Sequence, residues 1–240
     1  MAVTLLDAVA RLRRRIDDMG GDLSAPPSGY SYYWQYDDTT CGFKNPELVQ
    51  LLDEAQIEFC RREPIRDSTS ALTRIAVEAG VARYKYSASI LTIDRAYLTA
   101  SDYVLDKTFH HRVDDEDERL VLGDGTRYYR VDVDERALTL IETPTVAETL
   151  QLSVSRLPSI TLDWSDPTMT FEVPDVHIED LLLYAAYLAY SVRDFDNFNP
   201  ELANVSAERF RSRVGDPRTP RDLRVARDVA DAPLRVRAHF

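Results

Sequence analysis

Residues that most often carry chemistry are scarce in this sequence: two cysteines, four histidines and eight glycines in 240 residues. Cys41 and Cys60 have no CxxC or histidine-paired spacing, which removes the usual zinc frameworks. Ordinary thiols of a reducing compartment are expected, with a pair between the two as the other arrangement open to them. His110, His111, His177 and His239 make no HExxH motif and no evident triad, so surface or supporting roles are expected. GxSxG, Walker-type and GxGxxG motifs are missing, and so few glycines leave little material for a loop that cradles phosphate. The usual warrants for a hydrolase, an NTPase or a dinucleotide enzyme are therefore absent. No catalytic residue, metal or cofactor is assigned, and a non-enzyme is expected. Long hydrophobic runs are missing too. The apolar run Leu181 to Tyr190 falls short of the roughly 20 residues needed to cross a bilayer. The start of the chain has no apolar stretch followed by a small-residue cleavage site, and Asp7, Asp17 and Asp18 oppose a transit peptide, so a cytoplasmic product is expected.

Positive charge is also in short supply. Lys and Arg number 29 against 41 Asp and Glu, for a net charge of -12. Wrapping nucleic acid requires Lys and Arg to neutralise phosphates, so this balance argues against it. The charge is uneven: from Arg209 to Phe240 nine arginines face four aspartates, giving +5 and leaving -17 on the rest of the chain. A basic tail follows an acidic body.

The strongest periodic stretch is Pro174 to Val192. Ile178, Leu181, Leu182, Ala185, Leu188, Ala189 and Val192 recur at helical spacing, which predicts a buried central helix with Asp175 as its cap. Thr4 to Met19 predicts an amphipathic helix opened by a Thr4–Asp7 capping box, with Leu5, Val9, Leu12 and Ile16 inward and Gly20-Gly21 as its stop. Arg11, Arg13, Arg14 and Arg15 are read as a solvated face pairing with carboxylates, with a nucleic-acid contact as the alternative. A third helix starts at Asn45-Pro46, with Asn45 as cap, buries Leu48, Leu51, Leu52, Ala55 and Phe59, and ends at Pro64. A fourth starts at Pro200, sets Ala203, Ala207, Phe210 and Val214 on one side, and is capped by Gly215.

Between the helices the pattern changes to short β-branched and aromatic runs: TRIAVEAG, ARYKYS, ILTIDRAYL, RYYRVDVD, ALTLIE and TLQLSVSRLP. With no helix-length crossover among them, an antiparallel sandwich or barrel is expected, including a hairpin from RYYRV to ALTLIE across residues 132–136. The acidic run Asp114 to Glu118 lacks the alternating spacing and glycine of a calcium loop and reads as solvated. In DFDNFNP, Asp194 and Asp196 are followed by Phe198 where a third oxygen ligand would stand, so turn chemistry is expected there.

The expected fold is α+β: about four helices interrupted by an inserted antiparallel β-domain, with an extended C-terminal arm. The expected divisions are 1–68 and 174–215 for the helical domain, 69–173 for the β-domain and 216–240 for the arm. Asp22 to Lys44 is a loop whose Tyr30, Tyr32, Tyr33, Trp34 and Tyr36 suit a core anchor, a subunit interface or a sugar-binding platform. The arm has prolines at 217, 220 and 233 and too little apolar character to fold alone.

That order of parts resembles the head-to-tail adaptor (connector or gatekeeper) proteins of tailed bacteriophages. The wording of ELVQLLDEAQIEF (Glu47 to Phe59), RYYRVDVDERALTLIETP (Arg127 to Pro144), LQLSVSRLP (Leu150 to Pro158), and VPDVHIEDLLLYAAYLAYS with the later ERFRSRVGD is similar to that family's phrases. One departure is Gly125-Thr126-Arg127, where members often carry Gly-x-Pro. The resemblance implies a virion structural protein made in the host cytoplasm and placed in the neck between head and tail. It implies a homo-oligomeric ring, dodecameric, under the portal, with a tail or nozzle protein as the other partner, genomic DNA passing through, and no membrane. The arm would meet the portal through Arg218, Arg221, Leu223, Arg224, Arg227, Leu234, Arg235, Arg237 and Phe240, and Tyr32, Tyr33, Trp34 and Tyr36 would serve a subunit interface. The competing readings are another neck or minor tail protein, and a carbohydrate-binding β-domain protein working as a monomer.

Overall fold

The computed structural model describes residues 2–18, 41–107, 128–132, 135–193 and 198–217. Among them the chain is α+β, with four α-helices and eight strands. It divides into two compact units, one formed by Met1–Glu63 with Thr161–Phe240, the other by Pro64–Ile160.

The helical unit is organised by α3 (Ile178–Ser191), which contacts each of the other three helices, α1 (Leu5–Ile16), α2 (Asn45–Arg62) and α4 (Pro200–Val214). Beyond the expected stripe, α3 also buries Leu183, Ala186 and Tyr190, so apolar side chains cover most of its circumference. A helix hydrophobic on so many sides is stable in water only at the centre of a fold. Its start differs from expectation. A short 3-10 turn, Asp175–His177, precedes it, and Asp175 Oδ1 accepts from the Val3 N–H (3.1 Å) instead of capping the helix. Asp175 thereby ties the chain's first residues to the entrance of its central helix.

α1 opens with the expected capping box: Asp7 N–H donates to Thr4 Oγ1 and Thr4 N–H to Asp7 Oδ2, both at 3.2 Å. It stops at Ile16 and not at Gly20-Gly21. Asp17 takes a left-handed conformation (φ 57°), and the Asp18 N–H closes on the Arg13 carbonyl at 3.0 Å. In α2 the expected cap shifts by one residue. Asn45 is already helical, and Glu47 Oε2 satisfies the Lys44 N–H at 2.7 Å. The helix ends at Arg62, two residues before Pro64. α4 is capped by Asn199, whose Oδ1 accepts from the Leu202 N–H at 3.1 Å, and ends at Gly215 (φ 87°).

The stretch after the last strand, read from sequence as β-like up to Val173, forms no strand of the sheet and clusters with the helices. Its backbone is claimed by helix neighbours. Leu5 N–H bonds the Met169 carbonyl at 2.7 Å and Leu6 N–H the Pro167 carbonyl at 3.0 Å. Leu162 N–H donates to Asp53 Oδ1 at 3.0 Å and Glu172 N–H to Gln56 Oε1 at 3.1 Å. Leu162, Phe171 and Val173 are buried.

The second unit is a sheet of β1 (Ile65–Asp67), β2 (Arg74–Val77), β3 (Arg83–Lys85), β4 (Ile90–Leu98), β5 (Tyr103–Lys107), β6 (Tyr128–Asp132), β7 (Ala137–Leu140) and β8 (Glu148–Arg156). The hydrogen-bonded order is β1-β8-β4-β5-β6-β7-β3, with β2 also on β8. Val77 on β2 and Tyr84 on β3 share one core with Ile93, Leu105, Leu138, Leu150 and Leu152. β2, bonded to β8 near one end of the path, and β3, at the other end, therefore share one cluster, and the sheet is curled. Alternation along β8 (Leu150, Leu152 and Val154 in, Gln151 and Ser153 half-exposed) is the period-two signature of a strand with one wet face. Two expectations change. The path ends at β1 and β3, so among the described residues main-chain bonds do not close a barrel. The sheet is also not wholly antiparallel, because β5 and β6 pair in parallel through Asp106 with Tyr128 and Lys107 with Tyr129. Residues 108–127 join them, and a connection of a dozen or more residues is what a parallel pair requires. The β6–β7 hairpin is antiparallel, with Asp132 opposite Ala137.

Candidate functional site

No group of three or more His, Cys, Asp or Glu that could hold a metal occurs among the described residues. His177 lies 3.6 Å from Asp180, and its ring sits 5.0 Å from that of Phe59. These contacts give it a supporting place at the half-exposed edge of the helical unit. Cys60 is buried and Cys41 half-buried. The arm residues Arg218, Arg221, Leu223, Arg224, Arg227, Leu234, Arg235, Arg237 and Phe240 lie outside the described residues. So do Tyr30, Tyr32, Tyr33, Trp34 and Tyr36, the acidic run Asp114 to Glu118, Gly125, His110, His111, His239, and Asp194 and Asp196. The structure instead describes the anchor points from which the aromatic loop and the arm depart.

The first anchor is built on Arg13, which the sequence placed on a solvated face and the structure buries completely. Its Nη1 donates to Asp18 Oδ2 at 2.7 Å, and its Nη2 to the Phe43 carbonyl at 2.8 Å and Asn45 Oδ1 at 2.7 Å. Asp18 accepts in turn from the Gly42 N–H (2.7 Å) and the Phe43 N–H (3.1 Å). Residue 18 and residues 42–43, which flank the aromatic-rich loop, are thus held together by one buried, hydrogen-bonded ion pair. Burying two charges is costly unless their remaining donors and acceptors are satisfied, and these partners satisfy them. Arg11 and Arg15 behave as expected and pair with Glu179 at 3.3 and 2.7 Å, while Arg14 is exposed. Tyr190 adds a hydrogen bond to the Arg15 carbonyl at 2.9 Å, and burial raises its hydroxyl above the ordinary tyrosine range.

The second anchor stands where the arm begins. Arg62, at the end of α2, donates to Glu58 Oε1 from Nε (3.2 Å) and Nη2 (3.0 Å). Its Nη1 donates to the carbonyl of Gly215, and its guanidinium lies 4.7 Å from the centre of the Phe210 ring. The Tyr184 ring packs tilted against Phe210, with centroids 5.0 Å apart.

The sequence model of one family, described as SU10 adaptor protein, matches residues 3–237. The chain belongs to this family. It is a phage head-to-tail adaptor family, whose members are structural proteins. No curated protein matches the chain.

The adaptor's β unit carries a cleft of about 320 Å³, with Leu98, Leu105 and Leu140 among its lining residues and Glu142, Val146 and Glu148 among the others. Among the described residues that line it none is aromatic, and Glu148 already accepts from the Ser101 N–H and hydroxyl at 3.2 and 3.1 Å. Phe198, Leu202 and Val205 are more than 40% exposed at the start of α4. No helix among the described residues is long and apolar enough to cross a membrane.

Proposed function

We propose that the adaptor assembles as a ring, dodecameric, beneath the portal, joins the capsid to the tail, and lines the passage for genomic DNA. The observation that carries this reading is the family match across residues 3–237. The physical features agree with it. A body with a net charge of -17 outside its last 32 residues repels a polyanion, so DNA would pass without adhering. A basic C-terminal arm of low apolar content that orders on a partner gives a large interface from few residues. In this arrangement the helical unit packs side by side around the channel, the β unit faces outward or toward the tail, and residues 216–240 reach the portal. Tyr32, Tyr33, Trp34 and Tyr36 then serve contacts between subunits.

Light scattering on the purified protein, alone and mixed with the portal ring of the same phage at near-physiological salt, tests the reading. A ring of subunits joining portal with matching symmetry is the expected result. A protein that ignores portal but binds a tail component would place it elsewhere in the neck, and a monomer that binds neither would sink the proposal.

A further inference from the structure

We propose that Arg62 is a positioning residue: it fixes where and in which direction the chain leaves the helical unit after α4, and thereby sets the affinity of the C-terminal arm for its partner. The inference rests on the adaptor reading above and assigns it a residue that lies outside the arm. Three constraints meet on this one side chain. Glu58, one turn earlier on α2, holds Nε and Nη2 at 3.2 and 3.0 Å. The Phe210 ring lies 4.7 Å from its carbon centre, and the side chain is only 9% exposed. The remaining edge, Nη1, is spent on the carbonyl of Gly215, the first residue beyond α4. A planar guanidinium can stack through its face while its edge donates, which a lysine ammonium cannot do.

Gly215 is the matching half of the device. Its N–H bonds the Arg211 carbonyl at 2.8 Å, and its backbone sits at φ 87° and ψ -175°, a conformation open to glycine and strained for other residues. Nothing lies within 4 Å of where a Cβ would project. A side chain there would meet no neighbour and would act only by changing the direction of the backbone. Gly215 is thus held at both ends, its N–H by the Arg211 carbonyl and its carbonyl by Arg62, immediately before Asp216 and Pro217. A tethered segment gains affinity when its starting point is preset, because less freedom is lost on binding.

The test uses the full chain as wild type, Arg62→Gln and Gly215→Ala, with purified portal ring of the same phage as the probe. Circular dichroism and self-association are expected to match wild type in both variants, while affinity for portal falls about tenfold or more. Hydrogen exchange across Arg211 to Pro217 should quicken in Arg62→Gln with no change in α3. Wild-type affinity in Arg62→Gln would overturn the inference, as would a loss of portal binding matched by an equal loss of self-association. If Arg62→Gln does not fold, Gly215→Ala decides on the same readouts. Failure of the wild type itself to bind portal would strike the adaptor reading instead.

Discussion

Arg13 shows most sharply what a single residue contributes. Removing one member of a buried pair leaves the other charged and unpartnered, so Arg13→Ala is expected to destabilise the helical unit by about 3–5 kcal/mol, read by urea denaturation. A loss under 1 kcal/mol would show that Asp18 is satisfied by Gly42 and Phe43 alone. The burial was partly legible. Arg13 falls four residues after Val9 and three before Ile16, within the apolar stripe, but its charge and its arginine neighbours masked that register. In the β unit, Asp67 pairs with Arg156 at 2.7 Å with both side chains nearly buried. Burial alone would raise the Asp67 carboxyl, but hydrogen bonds from Ser70, Thr69 and Arg156 outweigh it and hold the carboxyl well below its usual range. A depressed carboxyl stabilises the fold fully above its unfolded pKa of about 3.9 and loses that contribution as pH falls toward the folded value. Asp67→Asn should therefore lower Tm at pH 6, with the gap to wild type narrowing as pH drops below about 4. A gap that stays constant down to pH 2 would remove Asp67 as the cause.

At the scale of elements, local chemistry was readable where one element suffices to specify itself. The Thr4–Asp7 box, the helix from Pro200 to its Gly215 stop, and the strand-like run that became β8 were all visible in the sequence. Asn199→Ala removes the acceptor for the Leu202 N–H and should cost about 1 kcal/mol, measured by thermal unfolding. Leu152→Ala, in the strand that β1, β2 and β4 all pair with, should cost about 2–5 kcal/mol. What stayed hidden depends on distant partners. β1 is three residues long and β5 five, too short for periodicity to identify, and both exist because a neighbouring strand supplies their hydrogen bonds. The parallel β5–β6 pair is a choice of register that no local pattern announces. The same holds for Asp175, whose sequence suits a cap and whose actual partner, Val3, lies 172 residues away.

For the whole molecule, the excess of negative charge predicts a solution property. The full chain should not retain duplex DNA at physiological salt in a fluorescence anisotropy titration, and submicromolar binding there would contradict a channel that lets DNA slide. The anchors hold residues on either side of the aromatic loop and at the start of the arm, while the residues that would make the contacts rest on composition and on the family resemblance. Sequence shows that tyrosines and arginines are present. Which partner each one meets is set by another surface. One feature of the connectivity also bears on how the protein is made. α1 and α2 precede the β unit, and the helix they need, α3, follows it. At about 5–20 residues per second, the ribosome releases the apolar faces of Leu5, Leu12, Leu48 and Leu52 on the order of ten seconds before their partner exists. During synthesis the first helices are unfinished surfaces, and the nascent chain must be shielded until α3 emerges to receive them.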